Sequence, residues 1–175
     1  RECDAIIHVL RCFQDSEVTH VSGKVDPVAD AEIIETELLL ADLETVEKKI
    51  ASIEKKANSG DKNLKKSLRV FEKILKGISD GAHARAITFE EEDISIVNSL
   101  QLLTSKPILY VCNVSESTAA QGNEFSSKVQ ELVNFRKAKM VIISAVIEEE
   151  ISKLGDYNDA RLFLEDLGLE EPGLN

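Results

Sequence analysis

Lys106-Pro-Ile-Leu-Tyr-Val-Cys-Asn-Val-Ser-Glu116 decides how this 175-residue chain is read. The run over residues 107–112 is apolar and reads as a strand. It ends in Asn113, and a carboxylate, Glu116, stands three residues further on. A second apolar run, Lys139-Met-Val-Ile-Ile143, ends in Ser144-Ala145. Two strands that each end in a short polar motif at the carboxyl end are how an open α/β sheet presents a ligand site. An Asn and a carboxylate beside a Ser-Ala backbone turn supply the chemistry that holds a purine base.

The carboxylate bears on which purine. Guanine presents two adjacent donors, its ring N–H and its exocyclic amine, which an aspartate three residues after the Asn accepts together. Here the acid is Glu116, one methylene longer, and position 114 is Val. The longer arm moves the carboxylate off guanine's paired donors, and discrimination by buried hydrogen bonds is severe only where the fit is good. The motif therefore leans toward adenine, with the backbone N–H groups of Ser144 and Ala145 near the exocyclic substituent. On spacing alone, Asn-x-x-Glu also reads as an ordinary turn after a strand.

Outward from these strands, the order is strand, helical insert, then strand–helix–strand–helix. Residues 5–13, Ala-Ile-Ile-His-Val-Leu-Arg-Cys-Phe, read as a strand buried on both faces. A long helical block begins near Asp30, a good N-cap. Leu39, Leu43, Val46, Ile50, Ile53 and Ala57 form a heptad seam, and Leu64, Leu68, Phe71, Leu75 and Ile78 resume it after a turn at Asn58-Ser-Gly-Asp61. Two such seams predict an antiparallel helical hairpin. Thr88 and Glu91 fit a capping box that opens a helix through Ile94, Val97 and Leu103. Asn123 caps a helix with Phe125, Val129, Leu132 and Val133 inward. Glu148, Glu149 and Glu150 fall in the first turn of the next helix, and a last one over 159–167 stops at Gly168. The fold class is α/β, a parallel sheet with an inserted helical domain. Three strands make a thin sheet, so the chain is expected to be part of a larger one.

Net charge is −11, which argues against nucleic-acid binding by the chain as a whole. Between Glu47 and Lys76, however, ten Lys/Arg face four Asp/Glu, a local +6 that leaves −17 elsewhere. The cluster includes Lys48, Lys49, Lys55, Lys56, Lys62, Lys65, Lys66 and Arg69, around the hairpin tip. It reads either as a solubilising surface or as an arm that tracks phosphates. Aromatics are nearly absent from it, so structured RNA backbone suits it better than stacking on single strands. Cys3, Cys12 and Cys112 have neither metal-ligand nor redox spacing and read as inert thiols. His8 reads as a core residue, and His20 and His83 as loop residues with no catalytic partner near in sequence. The acid run Glu90–Asp93 reads as a solvated helix start. No apolar run is long enough to span a bilayer. The chain contains no G-x-x-x-x-G-K-[ST] and no G-x-G-x-x-G, so nothing in it cradles phosphates or binds magnesium.

Several stretches resemble one family. Arg1-Glu-Cys-Asp-Ala-Ile-Ile-His-Val-Leu-Arg-Cys-Phe13, Thr19-His-Val-Ser-Gly-Lys-Val-Asp-Pro27, Glu37-Leu-Leu-Leu-Ala-Asp-Leu43 and Phe163-Leu-Glu-Asp-Leu-Gly-Leu-Glu-Glu-Pro-Gly-Leu-Asn175 are similar to the YchF family, the Obg-like ATPases. The match runs the whole length, weakest at the hairpin tip and in loop 117–124. The resemblance implies half of a nucleotide-binding domain of the translation-factor GTPase class, over 1–27 and 104–175, interrupted by a coiled-coil domain over 28–103. It implies ATP hydrolysis in preference to GTP, dependence on magnesium, association with ribosomes and a cytoplasmic location. Asn113, Val114 and Glu116 take the base motif, with the Val114 backbone against adenine, and Ser144 and Ala145 take the Ser-Ala motif. It also puts the phosphate loop, switch segments, Asp-x-x-Gly motif and catalytic histidine before Arg1, and a TGS domain after Asn175. The chain alone is then expected to hold no nucleotide tightly and to hydrolyse none. The alternative is a non-enzymatic module that meets RNA or protein through the basic hairpin.

Overall fold

The computed structural model describes residues 3–14, 24–57 and 61–173. His20, most of the stretch before Asp26 and the turn at 58–60 lie outside them. The described residues form three strands and six α-helices, an α/β fold on a parallel sheet. Strand β1 (Ile6–Arg11) lies beside β2 (Ile108–Asn113), which lies beside β3 (Lys139–Ile143). The Ile6 N–H donates to Pro107 C=O at 2.9 Å and the Cys12 N–H to Asn113 C=O at 2.8 Å, so β1 runs parallel to β2. β2 and β3 are parallel in the register Leu109 opposite Lys139 through Asn113 opposite Ile143. All three strands therefore end on the same side.

The chain divides into two compact units, Arg1–Ile6 with Ile33–Pro107, and Ile7–Glu32 with Ile108–Asn175. In the sheet unit, helix α4 (Glu124–Arg136) starts on a capping box between Asn123 and Ser126 and buries Val129 and Val133. Tyr110, fully buried, accepts from Arg136 Nη1 at 3.0 Å and stacks on His8, which confirms His8 as a core residue. Helices α5 (Ala145–Lys153) and α6 (Tyr157–Asp166) complete the unit. Glu148 alone of its acid triplet lies in the first turn of α5, because the helix starts at Ala145. The expectation that β1 is buried on both faces fails. His8 and Leu10 point into the core, whereas Ile7 and Val9 are 66% and 60% exposed. A parallel strand covered on one side only keeps the period-two alternation of a half-buried one.

The helical unit holds α1 (Pro27–Ala57) from Ile33 onward, α2 (Lys62–Ser79) and α3 (Ile94–Asn98). Helix α1 starts three residues before Asp30. Pro27 pre-sets the first helical φ, and Asp26 Oδ1 accepts from the Ala29 N–H at 3.1 Å. Asp61 caps α2 through Asn63 and Leu64. The seam differs from a two-helix heptad. Val46 packs with Val70, Phe71, Ile74 and Ile78, and Ala84, Leu100 and Leu102 join them from the segment after α2. That third layer widens the apolar face of α2 beyond two positions per heptad.

The capping box at Thr88 does not form, and the helix it was to open is five residues long. The Thr88 carbonyl instead accepts from Lys73 Nζ at 2.7 Å, and Gln101, with φ 48°, turns the chain before Leu103. The segment is held by side chains from α1. Asp42, fully buried, accepts from Leu103 N–H (2.8 Å), Thr104 N–H (2.7 Å) and Thr104 Oγ1 (2.8 Å). Buried Glu35 pairs with His83 Nε2 at 3.4 Å, and Arg85 Nη2 meets His83 Nδ1 at 3.3 Å. The histidine that lacks a carboxylate nearby in sequence thus gains one from α1.

Candidate functional site

The five residues singled out from the strand ends come together in the sheet unit. Asn113 closes β2, and its Oδ1 accepts from the Ala145 N–H at 2.9 Å. One residue on, the Val114 N–H donates to Ile143 C=O at 2.8 Å. The carboxyl ends of β2 and β3 are therefore tied by two hydrogen bonds, one through the Asn side chain. The Val114 side chain is buried, which fixes the backbone at the sheet edge. Glu116 is exposed at the start of a 3-10 turn, Glu116–Thr118, pinned by Ser115 Oγ and Thr118 Oγ1 at 3.0 Å.

Ser144 holds the N-cap position of α5 in an extended conformation, yet its hydroxyl caps nothing. It is 2% exposed, and Oγ has no hydrogen-bond partner among the described residues. A buried hydroxyl without a partner is costly in a folded chain. The Ala145 amide, by contrast, is already engaged by Asn113, so a base meeting Ser144-Ala145 would find one backbone donor spoken for. Ser144→Ala is expected to leave the chain as stable or more stable by about 1 kcal/mol, because it removes an unpaired buried hydroxyl. Urea unfolding measures this, and a loss of more than about 1 kcal/mol would mean that the hydroxyl is satisfied in the folded chain.

Sequence reasoning missed a third tie. Asn123 Nδ2 donates to the Cys12 carbonyl at 2.6 Å, joining the head of α4 to the end of β1. The loop before it needs Gly122, with φ 75°, where a Cβ would stand 2.6 Å from Ser126 Oγ and 2.9 Å from Ile142 Cδ1. The sequence signal was the Gly-Asn pair ahead of a helix, legible as a cap and not as a cross-link.

The basic hairpin is partly neutralised by its own unit. Lys66 pairs with Glu92 at 3.1 Å and Asp93 at 3.2 Å, Arg69 reaches Asp93 at 3.5 Å, and Lys48 pairs with Glu44. Glu92 is the main cause that holds the Lys66 ammonium above its ordinary range. Asp93 is buried, so the run Glu90–Asp93 is not wholly a solvated helix start. Lys49, Lys62 and Lys65 are exposed. The side chains of Lys55 and Lys56 lie outside the described residues. Among the described residues no group of three or more His, Cys, Asp or Glu is placed to hold a metal ion.

A three-stranded parallel sheet with polar motifs at adjacent strand ends defines an α/β protein of the open-sheet class. No family model matches the chain. Curated relatives do. The Bacillus subtilis protein named Ribosome-binding ATPase YchF is 45% identical over 177 residues, and the Haemophilus influenzae protein of the same name is 42% identical over 175. Each match covers 100% of this chain and 48% of the relative. Among solved structures, the YchF GTPase of Schizosaccharomyces pombe superposes with a TM-score of 0.84 at 30% identity, over 96% of this chain and 47% of that one. The chain belongs to the YchF family and spans about half the length of the relatives it matches.

Proposed function

We propose that this chain supplies the base-recognition half of a nucleotide-binding domain, and the helical arm inserted into it, to a ribosome-associated NTP hydrolase. The domains run over 1–27 with 104–175 and over 28–103. The observation that carries the reading is the strand-end site, where Asn113 locks the Ala145 amide beside the buried, unpartnered Ser144 hydroxyl. Asn113 and Val114 set the floor of the pocket, Glu116 reads the base edge, and Ser144-Ala145 meets its exocyclic substituent. ATP with magnesium, and GTP less well, are the nucleotides, with the phosphate and metal ligands supplied by other segments. The exposed apolar pair Ile7 and Val9 supports a further layer packed on that face of β1.

The relatives' names differ on the nucleotide, ATPase in the bacterial proteins and GTPase in the fission yeast one. Glu116 favours adenine for the geometric reason given above. In the full-length protein, Glu116→Asp is expected to move the ATP-to-GTP affinity ratio toward GTP by about tenfold, the worth of one well-placed hydrogen bond. Calorimetric titration of both nucleotides measures it, and an unchanged ratio removes Glu116 from base selection.

A second reading, an interaction module without catalysis, is favoured by one observation. Lys49, Lys62 and Lys65 are exposed on the helical arm of an otherwise acidic chain. Retained ribosome binding by the isolated chain, with nucleotide binding absent from the full-length protein, would select it.

A further inference from the structure

After its last helix the chain comes back to the strand ends. Helix α6 stops at Asp166, Gly168 turns with φ 71°, and the Leu169 N–H donates to Leu164 C=O at 2.9 Å. Residues 170–173 then run to the end of β3. There the Gly173 N–H donates to Glu148 Oε1 at 2.7 Å. A Cβ on Gly173 would stand 2.5 Å from Ile143 Cγ2 and 3.0 Å from Glu148 Oε1. Only a residue without a side chain lies this near the isoleucine.

Glu148 is half-buried in the first turn of α5. A carboxylate there favours the helix dipole wherever it points, but this one also holds a backbone N–H twenty-five residues away. The Glu148 N–H in turn donates to Ser144 C=O at 3.0 Å, and Ile143, on which Gly173 packs, gives its carbonyl to the Val114 N–H. The Ser144-Ala145 turn is thus held from two directions. Asn113 Oδ1 takes the Ala145 N–H from the side of β2, and the Glu148–Gly173 bond closes over the residue before the turn. A site that presents a hydroxyl and a backbone turn at fixed places binds more tightly when they are held beforehand. Where the turn is in place only part of the time, apparent affinity falls by that fraction.

We propose that Glu148 is a positioning residue of the strand-end site. It clips residues 172–173 over the end of β3 and holds the Ser144-Ala145 turn in place before a nucleotide arrives. This role rests on the base-recognition reading of that site, and it acts through the turn, not through contact with the base.

Calorimetric titration of the full-length protein with ATP and with GTP tests it, beside hydrogen exchange of the nucleotide-free protein. Glu148→Ala should weaken both nucleotides about fivefold and leave their ratio unchanged, the mark of a site that is formed a smaller share of the time. The Val114 and Ala145 amides should exchange faster. Glu148→Gln keeps an acceptor of the same reach, weaker than a carboxylate, and should bind within about twofold of the unaltered protein. Gly173→Ala pushes the segment off Ile143 with Glu148 intact and should repeat the loss. Glu150→Ala, exposed on the same helix, should change nothing. Circular dichroism confirms that each variant is folded, and Gly173→Ala carries the test if Glu148→Ala unfolds. Unchanged affinity in Glu148→Ala or Gly173→Ala, or a shifted ATP-to-GTP ratio, overturns the positioning role and leaves the base-recognition reading standing. Failure of the unaltered protein to bind either nucleotide overturns both.

Discussion

Asp42→Asn is expected to destabilise the helical unit by about 3 kcal/mol, the cost of breaking a buried, charge-assisted hydrogen-bond set. Asp42 is fully buried and accepts three hydrogen bonds, two from backbone N–H groups and one from the Thr104 hydroxyl. The amide is nearly isosteric but keeps a single acceptor. Its NH2 faces donors, so at least one N–H of the 103–104 turn is left unpaired in a dry site. The damage spreads, because Thr104 Oγ1 also accepts from the Ala84 N–H at 3.0 Å and the Thr104 carbonyl from Arg85 at 3.2 Å. The melting temperature should fall by about 6–12 °C for a chain of this size. Amide exchange should accelerate first at Leu103 and Thr104. A fall of less than about 1 kcal/mol would mean that the carboxylate does not organise this turn.

Charge reversal of Lys49, Lys62 and Lys65 to Glu is expected to weaken ribosome association of the full-length protein by more than tenfold at low salt. Phosphate contacts made by cations release counterions, so each lost contact also lowers the salt dependence, by about 0.7 to 0.9 in the log–log slope. Co-sedimentation across a salt series measures both quantities. Lys66→Glu and Arg69→Glu form the contrasting pair. Their partners are Asp93 and Glu92, so reversing them should cost folding stability before it costs binding. Unaltered co-sedimentation of the triple variant would leave the basic arm as a solubilising surface.

The strands, their order and most helices were legible in the sequence because they rest on local period. Alternating or continuous apolar runs made β2 and β3 visible, and both expected polar endings fell at the carboxyl ends of their strands. The cap expected at Asn123 coincides with a helix start because a capping bond spans only two or three residues. The errors fall where a distant partner overrode a local preference. Thr88 had the residues of a capping box, and its carbonyl was taken by Lys73 from another helix. Glu90–Asp93 looked solvated until Lys66 and Arg69 drew Asp93 inside. The face of α2 proved wider than a heptad seam because residues 84–102 pack on it as a third layer.

For the site the division is the same. Which residue types stand at the strand ends, Asn113 with Glu116 and Ser144 with Ala145, is a property of the sequence alone, and so is the length of the acid at 116. That Asn113 spends its carbonyl on the Ala145 amide, that Ser144 keeps a buried hydroxyl unpartnered, and that Cys112 meets Met140 were decided by the tertiary structure. Local geometry is set by neighbours a few residues away, which the sequence displays. A hydrogen bond or a sulfur contact across parallel strands depends on register, and register is settled only when the apolar faces of all the strands are buried together.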